Sequence, residues 1–490
     1  MKRRDFLHTT LLAAASYAVV AADKIGADIG AVTGSGNAIT LRGADIRELA
    51  RKMSGAVLIA GDEGYDSARR VRNASFDKHP SLIAQPGNAE DVRAAVQFAR
   101  ANHVLLAVKC GGHSGSGQST CDRGMLIDLV NLRGVRVDAQ QRRAWVEGGT
   151  LLGQVDGECM AHGLVTPLGT VSHTGVGGLT LGGGFGRLAR KLGLAIDNLV
   201  SVDIVNADGE LRHASATENP DLFWGVRGGG GNFGIVTRFE FRLHPMQPQV
   251  LAGFIEFPFD KARDLMAMYA DYAAAAPDEL YIDPGIMTRP GQPGSAFVEV
   301  CYSGDMKNAE SALAPIRKLG KPASGEFKMM GYLEAQRAND YGDNREIASY
   351  LKAGFVQKFT QELAQAIVEG IPREPPGTSI LFFQHGGGAT NRVAESATAF
   401  AQRDSLVNMM AVGVWRAGGD GKPQMELTRR YWAGLEPFTR GFYVNDMARE
   451  ISMAQINANY RGNYPRLVAL KKKYDPTNLF RLNANVQPDA

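Results

Sequence analysis

One histidine lies within a dense run of glycine and serine between two apolar segments. The stretch from Leu105 to Leu129 reads LLAVKCGGHSGSGQSTCDRGMLIDL, with His113 inside its loop. The apolar ends predict a strand, a tight loop and a second strand. Glycine has no Cβ, so the loop backbone can adopt positive φ and turn several N–H groups inward, which suits a pyrophosphate. The sequence therefore predicts an anion cradle that holds an imidazole, formed by Gly111, Gly112, Gly115 and Gly117.

Two other glycine-rich phosphate motifs do not fit this loop. A dinucleotide fingerprint or a P-loop needs glycines that open a helix, whereas Gln118, Ser119 and Thr120 lead towards a strand. No Gly-Lys-Ser/Thr follows either, so both classes are excluded. A plain surface hairpin with an incidental histidine stays open on the glycine content of this loop alone.

A second glycine-rich segment, TPLGTVSHTGVGGLTLGGGFG, covers residues 166–186. Glycine at this density between strands predicts backbone packed directly against something flat and large, such as a tricyclic ring. The alternative is glycine-rich packing of a strand on a helix with no ligand.

These residues carry a resemblance to a known family. VKCGGHSGSG followed by GMLIDL resembles the flavin-attachment segment of the berberine-bridge-enzyme-like FAD-linked oxidases, within the vanillyl-alcohol-oxidase superfamily. In that family the histidine of GGHS bonds covalently to the 8α-methyl of the flavin, so the resemblance implies FAD attached through His113. The second segment is similar to the family's Cys-x-x-Val-Gly-x-Gly-Gly stretch, whose cysteine makes a second flavin link. Aligning its glycines on Gly175, Gly177 and Gly178 places Val171 at the cysteine, so a single link is expected.

Two further segments resemble the family in the same order along the chain. FWGVRGGGGNFGIVTRFEFRLHP, residues 223–245, is similar to a stretch whose backbone lies along the FAD. The tail NANYRGNYPRLVALKKKYDPTNLFRLNANVQP, residues 457–488, resembles the family's carboxy-terminal segment. The resemblance implies FAD contacts at Lys109, Gly111, Gly112, His113, Ser114, Gly115, Gly117, Gly169, Ser172, Gly175, Gly177, Gly178, Gly182, Gly234, Ile235, Val236, Asn483 and Asn485.

The elements that must position these residues predict an α+β protein. The 490 residues exceed what one hydrophobic core usually serves. Residues 79–109 predict a βαβ unit whose helix is capped by Asn88. Between residues 250 and 440, separated strands and helices predict an antiparallel sheet with helices on one face. The resemblance implies a two-part PCMH-type FAD-binding domain at 74–245 with a lead-in at 28–73, a substrate domain at 250–440 that Gln384 to Gly388 would line, and a berberine-bridge-type segment at 445–490.

Composition and charge limit the classes of molecule that the protein is expected to bind. With a net charge of +3, 44% hydrophobic and 21% charged residues, the chain is typical of soluble globular proteins, and nucleic acid is not an expected partner. The lysine run at 471–473 is predicted to be the solvated end of a helix. Four cysteines without C-x-x-C or zinc spacing predict no metal site. A disulfide between Cys110 and Cys121, which flank the loop, stays open.

The first 22 residues predict export. Arg3 and Arg4 precede Asp-Phe-Leu and an apolar run that reaches Ala22, which resembles a twin-arginine signal cleaved after that alanine. A retained signal anchor is the alternative, although the run is short for a bilayer span. The twin-arginine machinery carries folded proteins, which suits a protein that acquires FAD in the cytoplasm. A periplasmic or secreted location is therefore expected.

The chemistry implied by the resemblance is oxidation of an alcohol or amine carbon, in a sugar, an alcohol or a phenolic compound. A base removes the heteroatom proton while hydride passes to flavin N5, and O₂ is expected to reoxidise the flavin and give H₂O₂. Tyr443 and Asn445 match the family's Tyr-x-Asn-Tyr motif, but Asp446 replaces the second aromatic residue. Tyr443 is the first candidate for the base and Tyr460 the second, and a packing role for Tyr443 stays open. A dehydrogenase that uses a quinone or cytochrome, and a flavin-bearing binding protein without turnover, are the alternatives.

Overall fold

The computed structural model describes residues 26–340 and 346–489. The predicted export signal at 1–22 lies outside these residues. Within them, no helix combines the length and the apolar character needed to cross a membrane.

The first part of the fold is a small α/β unit. Its strands are β1 (Ile29–Val32), β2 (Ala38–Leu41), β3 (Ala56–Leu58), β4 (Leu82–Gln85), β5 (Leu106–Lys109) and β6 (Met125–Asp128). Its helices are α1 (Gly43–Lys52), α2 (Tyr65–Arg69) and α3 (Ala89–Ala101). The strand order of its main sheet is β3-β4-β6-β5, and β1 and β2 form a separate antiparallel pair.

Helix α3 covers this sheet because its sequence is amphipathic. Asn88 caps the helix as predicted, since its side chain accepts a 2.9 Å hydrogen bond from the Asp91 N–H. The buried apolar side chains of α3 are Val92, Ala95, Val96, Phe98 and Ala99. They share one core with the buried strand residues Leu82, Leu106, Met125 and Ile127.

The predicted elements of the βαβ unit are present, but β4 and β5 are not neighbours. Strand β6 lies between them and pairs with both in parallel, with Leu126 opposite Ile83 on one side and Ala107 on the other. Parallel neighbours need a crossover, so the 110–124 connection returns the chain to the other end of the sheet. The surface-hairpin alternative for the glycine loop is therefore excluded.

The second part is an antiparallel sheet with the strand order β11-β10-β12-β8-β7. Its strands, with the short pair β9 and β13, are β7 (Val135–Asp138), β8 (Arg143–Glu147), β9 (Leu164–Val165), β10 (Leu199–Val205), β11 (Leu211–Ser215), β12 (Ile235–Arg242) and β13 (His244–Pro245). Its helices are α4 (Leu152–Met160), α5 (Val176–Gly182), α6 (Ala189–Leu192) and α7 (Pro220–Val226). Gly163, with φ +65°, lies three residues after the end of α4.

The third part is a seven-stranded antiparallel sheet, as predicted for the substrate domain. Its strands are β14 (Gln249–Pro258), β15 (Leu280–Arg289), β16 (Gln292–Tyr302), β17 (Ser324–Gly331), β18 (Ile347–Val356), β19 (Thr378–His385) and β20 (Val407–Arg416), in the order β17-β14-β16-β15-β19-β20-β18. Its helices are α8 (Ala262–Tyr272), α9 (Ala309–Arg317), α10 (Tyr332–Arg337), α11 (Gln361–Gly370) and α12 (Lys422–Leu435). Leu381, Phe383 and Met409 pack with helix residues such as Leu363 and Trp432 in one core.

The tail returns to the first two parts. It contains α13 (Met453–Asn459) and α14 (Tyr464–Tyr474) and then runs alongside the 229–233 loop. Asn232 donates to the Ala484 carbonyl at 3.0 Å and accepts from the Val486 N–H at 2.9 Å. These bonds dock the tail on the second sheet.

The prediction of a solvated lysine run is wrong for Lys471. Lys472 and Lys473 are exposed, but Lys471 has no exposed surface and pairs with Asp475 at 2.8 Å. Its ammonium also donates to the carbonyls of Asn232 and Phe480. The side chain lies on the inner face of α14, where an ammonium is tolerated because all of its donors are used.

Candidate active site

The two glycine-rich segments meet backbone to backbone. A Cβ on Gly111 would lie 2.3 Å from the Gly175 nitrogen, and one on Gly175 would lie 2.3 Å from the Gly111 nitrogen. Gly112 and Gly117 have φ +69° and +70°, a region that favours glycine. The glycines at these four positions therefore allow the 111–117 loop to turn sharply and to lie directly on the start of α5.

His113 is held at this junction by a second histidine. Its Nε2 lies 2.8 Å from Nδ1 of His173, and its Nδ1 lies 3.5 Å from the Thr174 hydroxyl. Burial, and the nearby charges of His173 and Arg72, lower the pKa of His113 to about 3. The imidazole is therefore neutral at physiological pH and keeps a lone pair on one ring nitrogen. His173 belongs to a segment that the sequence marked, but its contact with His113 is a property of the tertiary structure.

Lys109 lies at the end of β5 and joins the two parallel strands. Its ammonium is 3.2 Å from the Asp128 carboxylate at the end of β6, and it donates to the carbonyls of Ala68 and Arg70. Burial raises the pKa of Asp128, while Lys109 opposes that rise. These contacts fix the start of the glycine loop, and direct FAD binding by Lys109 stays a prediction.

The loop that carries Val171 is tied to the substrate domain. The Ser172 N–H donates to Asp340 at 2.8 Å, and the Ser172 hydroxyl bonds to the same carboxylate. The Gly169 carbonyl accepts from the Gln336 amide at 3.1 Å. Both partners come from α10 and the residues after it, so the substrate domain positions this loop against His113.

Gln336 belongs to a buried polar network behind the loop. It donates to Asp156 at 3.1 Å and accepts from Arg187 at 3.0 Å, and Arg187 donates to Glu299 at 2.8 Å. Burial raises the pKa of Asp156 to about 7. The network links α4 and the segment before α6, in the second part of the fold, to β16 and α10 in the third part.

Gly148 connects the second glycine segment to β12. A Cβ on Gly177 would lie 3.0 Å from the Gly148 carbonyl oxygen, and one on Gly148 would lie 2.1 Å from the Val236 oxygen. A Cβ on Gly234, which has φ +150° and directly precedes β12, would lie 2.3 Å from the Val205 oxygen. The predicted contacts in the first, second and third motifs therefore form one continuous stretch of closely packed backbone.

Other predicted positions occupy the edges of this stretch. The Ser114 hydroxyl accepts from the Gln118 N–H at 3.1 Å and shapes the loop. A Cβ on Gly115 would lie 3.4 Å from the Leu351 side chain of β18, and one on Gly182 would meet Asn445. The loop thus lies beside β18 of the substrate sheet.

The residues present fit a large polar cofactor. The side-chain oxygens of Asn483, Asn485 and Thr180 are buried and have no hydrogen-bond partner among the described residues. A buried polar atom without a partner is costly, so these atoms are suited to bind a ligand. Gly178 and Gly230 have nothing within 4 Å of their Cβ positions, so open backbone surface accompanies these polar atoms.

Tyr443 has its hydroxyl engaged by neighbouring groups. The oxygen accepts from the Gly184 N–H and from the Asn445 amide, both at 2.8 Å, and the ring packs against Phe185 and Phe355. The side chain is 3% exposed, and burial raises its pKa above the ordinary value. These surroundings favour the packing role, and proton transfer by Tyr443 stays a prediction.

Tyr460 is in a similar position. It is 2% exposed, its hydroxyl donates to the Gly229 carbonyl at 3.4 Å, and burial raises its pKa. It supports the 229–233 loop on which the tail docks.

All four cysteines are free. Cys110 and Cys121 are therefore separate thiols in this structure, and the disulfide between them is not formed. The Cys110 sulfur occupies the space next to Gly175, at 2.3 Å from its Cβ position, and the Cys121 thiol donates to the Met125 carbonyl.

Comparison with known proteins identifies the family. A model described as "FAD binding domain" matches residues 80–215, and one described as "Berberine and berberine like" matches residues 442–487. The (R)-6-hydroxynicotine oxidase of Paenarthrobacter nicotinovorans is 30% identical over 468 residues, which cover 89% of this chain and 97% of that protein. This chain belongs to the berberine-bridge-enzyme-like family of FAD-linked oxidoreductases. The predicted α+β fold with its FAD-binding and substrate domains is confirmed as well.

Solved structures of this family superpose along most of the chain. The structure of 6-hydroxy-D-nicotine oxidase from Arthrobacter nicotinovorans has a TM-score of 0.80 at 28% identity, covering 89% of this chain and 98% of that one. The structure of Phl p 4, a grass pollen allergen with glucose dehydrogenase activity, has a TM-score of 0.78 at 27% identity and covers 88% and 96%. His113, Val171 and Gly175 lie within the FAD-binding match, and Tyr443 and Asn483 within the berberine-like match.

Proposed function

We propose that this chain is an oxidase that carries FAD attached covalently through His113 alone and oxidises an alcohol or amine carbon of a small molecule. The glycine segments around His113 would hold FAD, which would supply a hydride acceptor at N5 for the substrate carbon, with O₂ as the terminal acceptor that gives H₂O₂. The observation that carries the proposal is the surroundings of His113, which lies where two glycine segments of the FAD-binding match meet.

The state of the imidazole supports attachment. A covalent bond to the flavin requires a ring nitrogen with a free lone pair, which a protonated imidazole lacks. A pKa of about 3 keeps His113 neutral throughout the physiological range. The 2.8 Å contact of its Nε2 with His173 fixes the ring. The other nitrogen, Nδ1, lies 3.5 Å from the Thr174 hydroxyl.

A dehydrogenase is the second candidate. It is favoured by the likeness to Phl p 4, whose title names a glucose dehydrogenase activity, whereas the likeness to (R)-6-hydroxynicotine oxidase favours an oxidase. Oxygen consumption with peroxide release, measured against reduction of a quinone or dye, separates the two.

Export in the folded state is also proposed. Attachment through His113 would prevent loss of the flavin outside the cytoplasm, where no FAD pool is expected. The paired Arg3 and Arg4 and the apolar run to Ala22 supply the signal.

The test of the proposal is denaturation of the purified protein in acid. The pellet of the wild type should stay yellow, and its band should fluoresce in a denaturing gel. His113→Ala should lose the covalent flavin, whereas His162→Ala, which removes an exposed imidazole, should keep it. A flavin that acid extracts freely from the wild type would refute the covalent link, and FAD-free protein that cannot be loaded would refute the function.

A further inference from the structure

One face of the substrate sheet is directed to the 111–117 loop, the proposed site of flavin attachment. Opposite residues in antiparallel strands share a face, so Leu351 on β18 shares one with Val412 on β20, which lies opposite Ile380 on β19. A Cβ built on Gly115 would lie 3.4 Å from the Leu351 side chain. The alternate residues, such as Phe383 and Met409, point into the helix-covered core.

We call this face the cleft wall. Many of its side chains are only partly buried, in contrast to the buried residues that alternate with them along β19. Leu351, Ile380, Phe382, Gln384 and Val412 keep part of their surface exposed, whereas Asn408 and Met410 are buried. The cleft wall consists of Leu351, Ile380, Phe382, Gln384, Asn408, Met410 and Val412.

The cleft wall is apolar except at one end, where a carboxylate approaches it. Asp446 lies in a 3₁₀ turn, Val444–Asp446, that follows Tyr443. Its carboxylate accepts from the Asn408 amide at 2.8 Å, and the same amide donates to Gln384 at 3.0 Å. Asn408 is fully buried and Asp446 is half-buried, so the carboxylate lies against the polar end of the cleft wall.

The turn that carries Asp446 is also anchored on the FAD-binding domain. Asn445 donates to the Leu179 carbonyl at 3.1 Å, and its side chain fills the space that a Cβ on Gly182 would need. Both partners belong to α5, which begins where Gly175 meets Gly111. Asp446 thus lies between the helix that follows the Val171 loop and the cleft wall.

We propose that Asp446 takes the proton from the hydroxyl or amino group of a compact, largely apolar substrate that lies along the cleft wall. This inference rests on the proposed function. The substrate O–H or N–H bond breaks and its proton passes to Asp446. The adjacent C–H bond breaks with its electron pair, which passes as hydride to FAD, and a C=O or C=N double bond forms. Reoxidation by O₂ closes the electron balance.

Few charged groups face Asp446 from the neighbouring elements. Tyr443 is the titratable side chain nearest to it in its own segment, and α5 carries none. On β18, Tyr350 and Lys352 are bound to Glu450, at 2.9 and 3.7 Å. The charges and hydrogen-bonding groups of Tyr350, Lys352 and Glu450 are therefore partly paired with one another.

The other carboxylates on this side of the sheet are committed elsewhere. Glu299 on β16 accepts from Arg187. Asp283 on β15 accepts from the Phe383 N–H, and burial raises its pKa well above the ordinary value. His385 of β19 is turned to the helix side, where it bonds to the Ala273 carbonyl. Asp446 is the carboxylate at the cleft whose described side-chain donor is a single neutral amide.

The acidity of Asp446 suits a base near neutral pH. Burial raises its pKa to about 6, and the bond from Asn408 opposes the rise. A base is most effective when its pKa lies close to the working pH, and an ordinary aspartate is too weak. At pH 7 most of the population would be ionised and ready to accept a proton.

The composition of the cleft wall determines the substrate class. Leu351, Ile380, Phe382, Met410 and Val412 offer no hydrogen bonds. A sugar would bring several hydroxyl groups to this surface and leave them unpaired, which is unfavourable. An apolar carbon skeleton with a single hydroxyl or amino group, directed to Asp446, matches both ends of the wall.

The experiment compares Asp446→Asn, Asp446→Glu and a control, Asp420→Asn, which removes a carboxylate from the exposed loop after β20. Anaerobic flavin bleaching is followed with cyclohexanol, 1-phenylethanol, 1-phenylethylamine, glucose and cellobiose. We expect an apolar compound to bleach the wild type, with a rate that falls about tenfold per pH unit below about 6. Asp446→Asn should be about 10²- to 10⁴-fold slower without that inflection, Asp446→Glu should recover part of the rate, and the control should match the wild type.

A second readout does not depend on turnover. Infrared difference spectra of the flavin-loaded protein should show a carboxyl band that protonates near pH 6 and is absent from Asp446→Asn. Wild-type rates and the same inflection in Asp446→Asn, or bleaching by the sugars alone, would overturn the inference. If no compound bleaches the wild type, the proposed function fails instead. The infrared band then reports whether Asp446 is protonated, and a carboxyl that is still ionised at pH 4 overturns the inference.

Discussion

Replacing Lys471 by methionine should strongly destabilise the docking of the tail, although a lysine within a run of lysines is usually a solvated residue whose loss has little effect. Lys471 and Asp475 are both fully buried and 2.8 Å apart. Methionine keeps the length and apolar stem of the side chain but leaves the Asp475 carboxylate without its counter-ion. Removal of one partner of a buried pair costs about 3 to 5 kcal/mol. The loss of the donors to the Asn232 and Phe480 carbonyls acts in the same direction.

The chain supplies a matched control two residues later. Lys473 pairs with Asp221 at 2.7 Å, but its side chain is 57% exposed. A pair of this kind contributes about 0 to 1 kcal/mol, so Lys473→Met should be nearly neutral. The two variants remove the same charge from the same helix, so a difference between them reports burial.

Hydrogen exchange measured by mass spectrometry is the direct assay, because it reports local opening of the tail. The 479–486 peptides of Lys471→Met should exchange roughly 100- to 4,000-fold faster than in the wild type, which is the expected free energy converted at tenfold per 1.4 kcal/mol. The urea midpoint should fall as well. Equal exchange in Lys471→Met and Lys473→Met would show that the buried pair does not hold the tail.

Three further outcomes are expected. Val171→Cys should create a second covalent flavin link, visible by peptide mapping, because its loop packs against the attachment loop. Replacing Arg3 and Arg4 together by lysine should leave flavin-loaded precursor in the cytoplasm, measured by fractionation with flavin fluorescence, because the paired guanidinium groups are lost while the charge is kept. Asp156→Asn should change the pH dependence of stability. Burial raises the pKa of Asp156 to about 7, above its unfolded value of about 4, so the folded wild type loses stability as the pH rises between these values. The variant should therefore gain up to about 4 kcal/mol relative to the wild type between pH 4 and 7, measured by urea unfolding.

Each of these outcomes has a contrary result. A cysteinyl-flavin peptide in the unmutated protein would refute the alignment that places Val171 at the cysteine position. Normal periplasmic yield of the double-lysine protein would exclude the twin-arginine route, and Lys2→Arg is its control. A stability difference between Asp156→Asn and wild type that is flat with pH would contradict a raised pKa.

Local patterns predicted the elements well because their causes are local. The Asn88 cap and the apolar face of α3 follow from side chains a few residues apart. The placement of β6 between β4 and β5 could not be read in this way, since either order of parallel strands uses the same apolar runs.

The parts of the site that the sequence did not predict are long-range contacts. His173 stands in a segment already marked by its glycines, but only the fold brings it to His113. Asp446 departs from the family motif, and its partner Asn408 lies on a strand 38 residues earlier in the sequence. The lysines beside Lys471 predict a solvated charge, although its partner Asp475, one helical turn later, is visible in the sequence.

The docking of the tail has a consequence for the order in which the protein matures. The attachment loop is synthesised long before Ala484 and Val486, whose backbone groups bond to the Asn232 side chain. At about 5 to 20 residues per second, translation needs roughly 20 to 70 s to travel from His113 to this stretch. Throughout that interval the nascent chain has its histidine and both glycine segments but no tail to cover the 229–233 loop. A ribosome that stalls in this window would release a polypeptide whose Asn232 side chain lacks the Ala484 and Val486 partners.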